Sequence, residues 1–351
     1  MQISQIPKRI FSGNWKTPHV QGIAVDTKRE FIYYSFTTML LKIDLAGNVI
    51  GWAGGLTGHL GCLDFCDADG RVYGSLEYKA EQAFYIAIFE GSKITRPNMN
   101  AESDGIMTTV YLRDVVEDYC ADLDENGVFD GDTAETPDHR YGCSGIDGVA
   151  FGPDFGDFKG KKHFLHVAYG IYGNVKREDN NYQVILRYDI SHWNKFERPL
   201  KQNSPHTSGP EKADDRYFLY TGNTTYGIQN LEYDGFTGHW FVTVYRGKKP
   251  QYPNYPMFMI DGSKAPAVGI LAGQKAPEKG KLLTLVQDGV YHAPSGIYGW
   301  DFEYGQTGLF SFDDGTYYIS HNGSTPDGLQ NSTVYLYRWT GSRPIPFERI
   351  D

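Results

Sequence analysis

The chain has 351 residues, a net charge of −10, 41 glycines and 26 tyrosines, and 40 % of its residues are hydrophobic. The negative charge argues against a nucleic-acid partner, because binding a phosphate backbone needs a basic surface. No apolar run approaches the roughly 18 residues of a membrane helix, so we expect no membrane span. The abundance of glycine and tyrosine is typical of many short strands joined by tight turns.

The N-terminal residues and the cysteines give information about the cellular compartment of the protein. The start, Met1-Gln-Ile-Ser-Gln, lacks the charged and apolar regions of a signal peptide. We therefore expect a cytoplasmic protein, or a secreted or periplasmic one from which a leader has been removed. The four cysteines have no C-x-x-C spacing, which argues against zinc and favours buried thiols. They are Cys62, Cys66, Cys120 and Cys143.

Five segments along the chain share one pattern, in which an apolar strand, a polar turn with Asp or Gly, and a second strand follow one another. The first, HVQGIAVDTKREFIYYS from His19, aligns without a gap with HLGCLDFCDADGRVYGS from His59, 40 residues later. Looser copies begin at Gly145, Gly227 and Thr307. Each copy predicts the first two strands of a repeated unit.

Each copy is followed by residues that predict further strands. In chain order these are 40–44 and 49–52, 84–89 and 108–112, 182–188 and 217–220, 257–261 and 282–286, and 333–339. The last unit would be closed by 347–350 or by the N-terminal 9–11. A short helix is predicted within 109–118.

Four-stranded units repeated at tens of residues are typical of a β-propeller, whose closed ring leaves few exposed sheet edges. The sequence therefore predicts an all-β protein with five four-stranded antiparallel blades. They would form a single domain over residues 1–351, with an insertion at about 96–142. The alternative is a sixth blade within that insertion.

The segment from Gly22 to Ser35 has the rhythm G-ϕ-x-ϕ-D…ϕ-Y-ϕ-S, where ϕ is apolar. In this rhythm the chain resembles the broad group of NHL-type and gluconolactonase-like propellers, and it is similar to uncharacterised bacterial propeller proteins. The resemblance covers most of the chain. It implies the fold and no particular activity.

A polar collar is predicted where the inner strands of the ring begin, because the residues before these strands and after the second strands emerge on one face. Such convergent polar groups are typical of a ligand site; the alternative is a channel filled by hydrogen bonds and water. The candidate catalytic residues are His19, His59, Tyr169, Glu77 and Asp147. The candidate substrate-binding residues are Arg246, Gln229, Asn230, Tyr226, Tyr245, His321, Asn322 and the neighbouring Trp300.

Three functions are compatible with this collar. The first is a carbohydrate-active enzyme, a lyase or hydrolase acting on an acidic glycan, with Arg246 as the anion contact. Glu77 and Asp147 would be the carboxyl pair of a hydrolase, but histidines and tyrosines outnumber carboxylates here and favour a lyase. The second is a non-catalytic propeller that binds a glycan or a protein. The third is a metal-dependent esterase or lactonase, with a divalent metal held by His19 and His59 along with Gln229 or Asp147.

The segment from Asp122 to Asp132 begins with the D-x-D-x-N-G pattern of a calcium loop. Thr133 stands where the closing Glu of an EF-hand is expected. The segment predicts a structural Ca²⁺ that orders the insertion, and the alternative is a solvated acidic loop. The candidate ligands are Asp122, Asp124, Asn126, Asp130 and Asp132.

Overall fold

The computed structural model describes residues 6–351. Within these residues, five sheets surround a central channel, and their inner strands contact one another in cyclic order. The all-β, five-bladed propeller is therefore confirmed, and there is no sixth blade in the described part of the chain. The inner strands are β2 (Val20–Asp26), β6 (His59–Cys66), β11 (Cys143–Gly152), β15 (Thr225–Asp234) and β22 (Leu309–Ser311).

An aspartate turns the chain after the inner strand of each blade, which explains the Asp in every copy of the repeat. In three blades its carboxylate accepts a hydrogen bond from the backbone N–H two residues further on, the geometry of an Asx turn, and in the other two from the N–H one or three residues further on. The five acceptors are Asp26, Asp69, Asp154, Asp234 and Asp314.

Blades one and two have the predicted four strands. Blade one adds β3 (Phe31–Phe36), β4 (Met39–Asp44) and β5 (Val49–Gly54), with β9 (Met99–Asn100) running parallel to β5. Blade two adds β7 (Arg71–Tyr78), β8 (Ala83–Phe89) and β10 (Met107–Tyr111). The predicted helix begins later, as α1 (Arg113–Tyr119), because β10 pairs with β8. Short 3-10 turns occupy Lys79–Glu81 and Gly91–Lys93.

Blade three is wider than expected. Its regular strands continue with β12 (Phe164–Ile171), β13 (Tyr182–Tyr188) and β14 (Asp215–Tyr220). Two more strands, β18 (Ala267–Ile270) and β19 (Lys279–Leu283), extend this sheet beyond β14. The prediction that 282–286 belongs to blade four is thus wrong for Leu282 and Leu283, which pair with β14 of blade three. Residues 284–286 do run along the strand Met257–Ile260 of blade four, where Leu285 bridges to Ile260 and the Val286 N–H donates to the Met259 carbonyl.

Blades four and five complete the ring. Blade four adds β16 (His239–Tyr245) and β17 (Met257–Ile260), and a hairpin of β20 (Val290–His292) and β21 (Ile297–Gly299) lies nearby. Blade five adds β23 (Thr316–Ser324) and β24 (Gln330–Trp339). Both β1 (Arg9–Phe11) and β25 (Phe347–Arg349) pair with β24, so the two closures proposed as alternatives coexist. Further 3-10 turns occupy Arg140–Gly142 and Ile190–Lys195.

Strand β1 joins the two ends of the described chain. Ile10 pairs with Val334 of β24 and is only 2 % exposed. It belongs to an apolar cluster that also contains Val25 and Ile32 of blade one and Tyr318 of blade five. No helix within residues 6–351 is long and apolar enough to cross a membrane.

We expect Ile10→Asp to open the ring, because it places a carboxylate in this cluster. The substitution should lower the free energy of unfolding by about 3 kcal/mol or more, measured by urea denaturation. Arg9→Asp is the matched control, since Arg9 is an exposed residue of the same strand. Equal stabilities of the two variants would contradict a closing role for β1.

Candidate functional site

A cavity of about 710 Å³ opens on the face where the inner strands begin. It brings together seven of the predicted residues: His19, His59, Glu77, Asp147, Tyr226, Gln229 and Tyr245. The cavity is also lined by Thr37, Thr38, Thr57, Lys79 and Glu81, which the sequence reasoning missed. Lys79 and Glu81 follow the end of β7, close to the candidate Glu77, so extending that search by a few residues would have found them.

Glu77 reaches the cavity from the end of β7 and is buried. Its Oε1 accepts a hydrogen bond of 2.6 Å from the backbone N–H of Ile146 in blade three. Burial raises the pKa of Glu77 to about 7, although Lys79 and the Ile146 N–H oppose the rise. Gly145 is required beside it, because a Cβ there would lie 1.9 Å from Oε1.

Asp147 enters the same region from β11 of blade three. Its Oδ1 accepts a hydrogen bond of 3.3 Å from the backbone N–H of Cys62 in blade two. Burial, and then the negative charge of Glu77, raises the pKa of Asp147 well above its usual value. Burial and this neighbouring charge both disfavour the ionised form of Asp147.

The basic groups of the cavity are two histidines and a lysine. Burial, with the charges of Lys79 and His19, lowers the pKa of His59 to about 4. Burial also lowers the pKa of His19, whose Nε2 lies 3.0 Å from Nε2 of Gln21. Both imidazoles are therefore neutral near pH 7, and Lys79 supplies the positive charge.

Lys79 is held between two carboxylates. Its Nζ lies 3.9 Å from Oε2 of Glu77 and 3.6 Å from Oδ1 of Asp132. Burial lowers the pKa of Lys79, but the two carboxylates more than compensate, and its pKa is raised overall. The ammonium group is therefore already paired with carboxylates of this chain.

The remaining predicted residues lie outside the cavity. Tyr169 is buried and donates to Oδ2 of Asp118 in α1 at 2.8 Å. Trp300 is buried in the core, and Asn230 lies deeper in the channel, where its Oδ1 accepts from the Leu309 N–H at 3.2 Å. Arg246 forms ion pairs with Asp301 and Glu303.

His321 and Asn322 also lie outside the cavity, on β23 of blade five. The His321 ring stacks on Tyr304 with ring centres 3.6 Å apart, and its Nε2 lies 2.9 Å from the Tyr337 hydroxyl. Strand β23 continues to Ser324 in a long hairpin with β24. For this reason, these residues do not turn toward the channel as Glu77 and Tyr245 do at the ends of their second strands.

The acidic loop of the insertion has its own cluster. Among residues 6–351, one group of three or more His, Cys, Asp or Glu has ligand atoms within 4.8 Å of one another: Asp122, Asp124 and Asp138. Asp130 and Asp132 are not part of it; Asp132 instead accepts from the Tyr172 hydroxyl at 2.6 Å. Asn126 bonds to Asp122 and Asp124 through its N–H groups. The collar histidines form no such group, and the four cysteines are free.

Comparisons with known proteins give fold-level likenesses. No family model matches the chain, and no curated protein matches it. A hydrazine synthase from Kuenenia stuttgartiensis is 9 % identical with a TM-score of 0.39, covering 93 % of this chain and 78 % of its own. A GH43 β-1,3-galactosidase with galactodeoxynojirimycin is 10 % identical with a TM-score of 0.43, covering 96 % of each chain. A functionally unknown protein from Desulfotomaculum acetoxidans is 9 % identical with a TM-score of 0.36, covering 95 % and 69 %.

The raised pKa of Glu77 predicts a specific effect of pH on stability. A carboxyl whose folded-state pKa is raised from 4.5 to about 7 favours folding at low pH, and this advantage is lost as the pH rises through 7. Glu77→Gln removes the charge. Relative to the wild type, the variant should therefore gain about 3 kcal/mol of unfolding free energy between pH 4.5 and 8.

Urea denaturation at both pH values measures this difference. Glu81→Gln is the control, because Glu81 lines the same cavity but is exposed. A pH-independent difference between Glu77→Gln and the wild type would contradict the account of Glu77.

Proposed function

We propose that the protein is a glycoside hydrolase that works at the central cavity. The observation that supports this most strongly is the pair of buried carboxyls, Glu77 and Asp147, in a cavity lined by hydroxyl, amide and tyrosine side chains. Glycosidases use two carboxyl groups, one as a proton donor to the leaving oxygen and one as a base or nucleophile. Environments that separate two carboxyl pKa values define these roles.

In this proposal Asp147 is the general acid. Its pKa is raised both by burial and by the charge of Glu77, so it keeps its proton to a higher pH than an ordinary aspartic acid does. Glu77 ionises near pH 7, because burial raises its pKa while Lys79 and the Ile146 N–H limit the rise. Glu77 therefore acts as the base or nucleophile. Lys79 positions the Glu77 carboxylate and balances its negative charge.

A hydrolase fits the contacts better than the lyase favoured by the sequence. The lyase hypothesis needs Tyr169 and Arg246 beside a uronate, and both lie outside the cavity, bonded to Asp118 and to Asp301 and Glu303. The lysine of the cavity is occupied by carboxylates. We therefore propose a neutral sugar as the substrate, in place of an acidic glycan.

The second candidate function is a non-catalytic glycan-binding propeller, which the polar cavity would serve equally well. The metal-dependent esterase is less favoured, because His19 and His59 do not form a group of three close ligands with other His, Cys, Asp or Glu.

Hydrolysis can be tested with p-nitrophenyl glycosides and disaccharides of neutral pyranoses and pentoses. Asp147→Asn should slow disaccharide hydrolysis about 10²- to 10⁴-fold but affect p-nitrophenyl substrates much less, because an activated leaving group needs little protonation. Glu77→Gln should slow both, and Glu81→Gln should slow neither. Activity should rise with pH as Glu77 ionises near 7 and fall when Asp147 loses its proton.

Turnover that survives in both carboxyl variants would overturn these assignments. Glycan binding without turnover by the wild type would favour the non-catalytic function.

We also propose that the loop 122–138 binds Ca²⁺ through Asp122, Asp124 and Asp138, since carboxylate oxygens are the ligands that this ion prefers. Because a ligand that binds only the folded state stabilises it, Ca²⁺ should raise the melting temperature by a few degrees. Chelation should reverse this, and Asp124→Asn should abolish it. A melting temperature independent of Ca²⁺ would contradict the proposal.

A further inference from the structure

Tyr226 has an unusual backbone conformation for its residue type. Its φ is +65°, in the left-handed region that disfavours residues with a Cβ. Among residues 6–351, three aromatic residues have positive φ: His139, Tyr141 and Tyr226. His139 and Tyr141 are buried, whereas the Tyr226 side chain is 57 % exposed, so packing does not compensate for its strain.

The chain around Tyr226 explains how this conformation arises. Strand β15 bulges between Thr225 and Ile228 in its pairing with β16. Gly227 also has positive φ, and a Cβ there would lie 2.3 Å from the carbonyl oxygen of Tyr169. The carbonyl oxygen of Tyr226 accepts a hydrogen bond of 3.0 Å from Nε2 of Gln229. The bulge is therefore tightly held, and glycine or asparagine would suit position 226 better than tyrosine.

The position of Tyr226 in the cavity indicates what its side chain can bind. Tyr226 lines the same cavity as Glu77 and Asp147. Thr37, Thr38 and Thr57 also line the cavity. A pyranose has an apolar C–H face and a polar rim of hydroxyls, and such a ring matches a cavity with an aromatic face and hydroxyl partners.

We infer that Tyr226 is a stacking platform that binds the apolar face of a neutral sugar ring beside the carboxyl pair, and that the bulge holds it there. This inference rests on the proposed function and adds the residue that selects a pyranose. Backbone strain retained at an exposed residue of a cavity is expected where binding requires the geometry.

Saturation-transfer NMR with the methyl β-glycosides of galactose, glucose and xylose tests the inference on the full chain. Tyr226→Phe should retain the transfer to the ring C–H protons of whichever glycoside the wild type binds. Tyr226→Gly should weaken that binding at least about 10-fold, because it removes the aromatic face. The same substitution should leave the melting temperature unchanged or raise it by about 2 °C, because glycine relieves the strain.

Glu30→Gly is the matched control, since Glu30 is exposed with φ of +62° and does not line the cavity. It should have a similar effect on melting and none on glycoside binding. A Tyr226→Gly variant that binds glycosides as the wild type does, or that melts several degrees lower, would overturn the inference while leaving the carboxyl pair intact. Absence of glycoside binding and hydrolysis by the wild type would overturn the inference and the proposed function together.

Discussion

The architecture depends on hydrogen bonds that cross from one blade to the next inside the channel. The inner strands belong to separate sheets and form no ladder with one another. Instead, buried side chains accept hydrogen bonds from backbone N–H groups of the neighbouring inner strand, which satisfies donors that would otherwise be costly to bury. The bonds join Glu77 to Ile146, Asp147 to Cys62, Asp64 to Phe151, Glu232 to Ser311 and Asn230 to Leu309.

These bonds have an electrostatic consequence, because most of the acceptors are carboxyls. Burial raises the pKa of Asp64 to about 7 and that of Glu232 well above its usual value. These two carboxyls lie further along the inner strands, away from the cavity, and are buried. At the end of the channel where the inner strands begin, Glu77 and Asp147 lie in an open cavity. Carboxyls that join neighbouring blades can therefore also contact a substrate where the channel opens to solvent.

The sequence predicted the fold well because the fold depends on local, repeated signals. The Asx turn at Asp26, the aspartate turn at Asp234 and the alternating or continuous apolar runs of the strands are visible in single segments. Strand β19 could not be assigned to its blade, because its partner β14 lies about sixty residues earlier and either sheet edge would accept it.

The cavity was predicted in part, for a geometric reason. Residues that begin an inner strand, such as His59 and Tyr226, must emerge near the channel, and the structure places both there. The ends of the second strands diverge, so Glu77 faces the channel while Arg246 turns to Asp301 and Glu303. The choice between these directions depends on long-range charge pairs that sequence spacing does not contain. The sequence analysis missed Asp138 for a similar reason, because it lies at the far end of the loop in sequence but beside Asp122 and Asp124 in the structure.

The most direct measurement of the central claim is a ¹³C NMR titration of the side-chain carboxyls in the wild type and in Glu77→Gln. The account predicts that the Glu77 signal, identified by its absence from the variant, titrates near pH 7, and that the Asp147 signal titrates well above its usual range. In Glu77→Gln, the pKa of Asp147 should fall, because the negative charge that raises it is gone. Ordinary titration of both Glu77 and Asp147 near pH 4 would contradict the account.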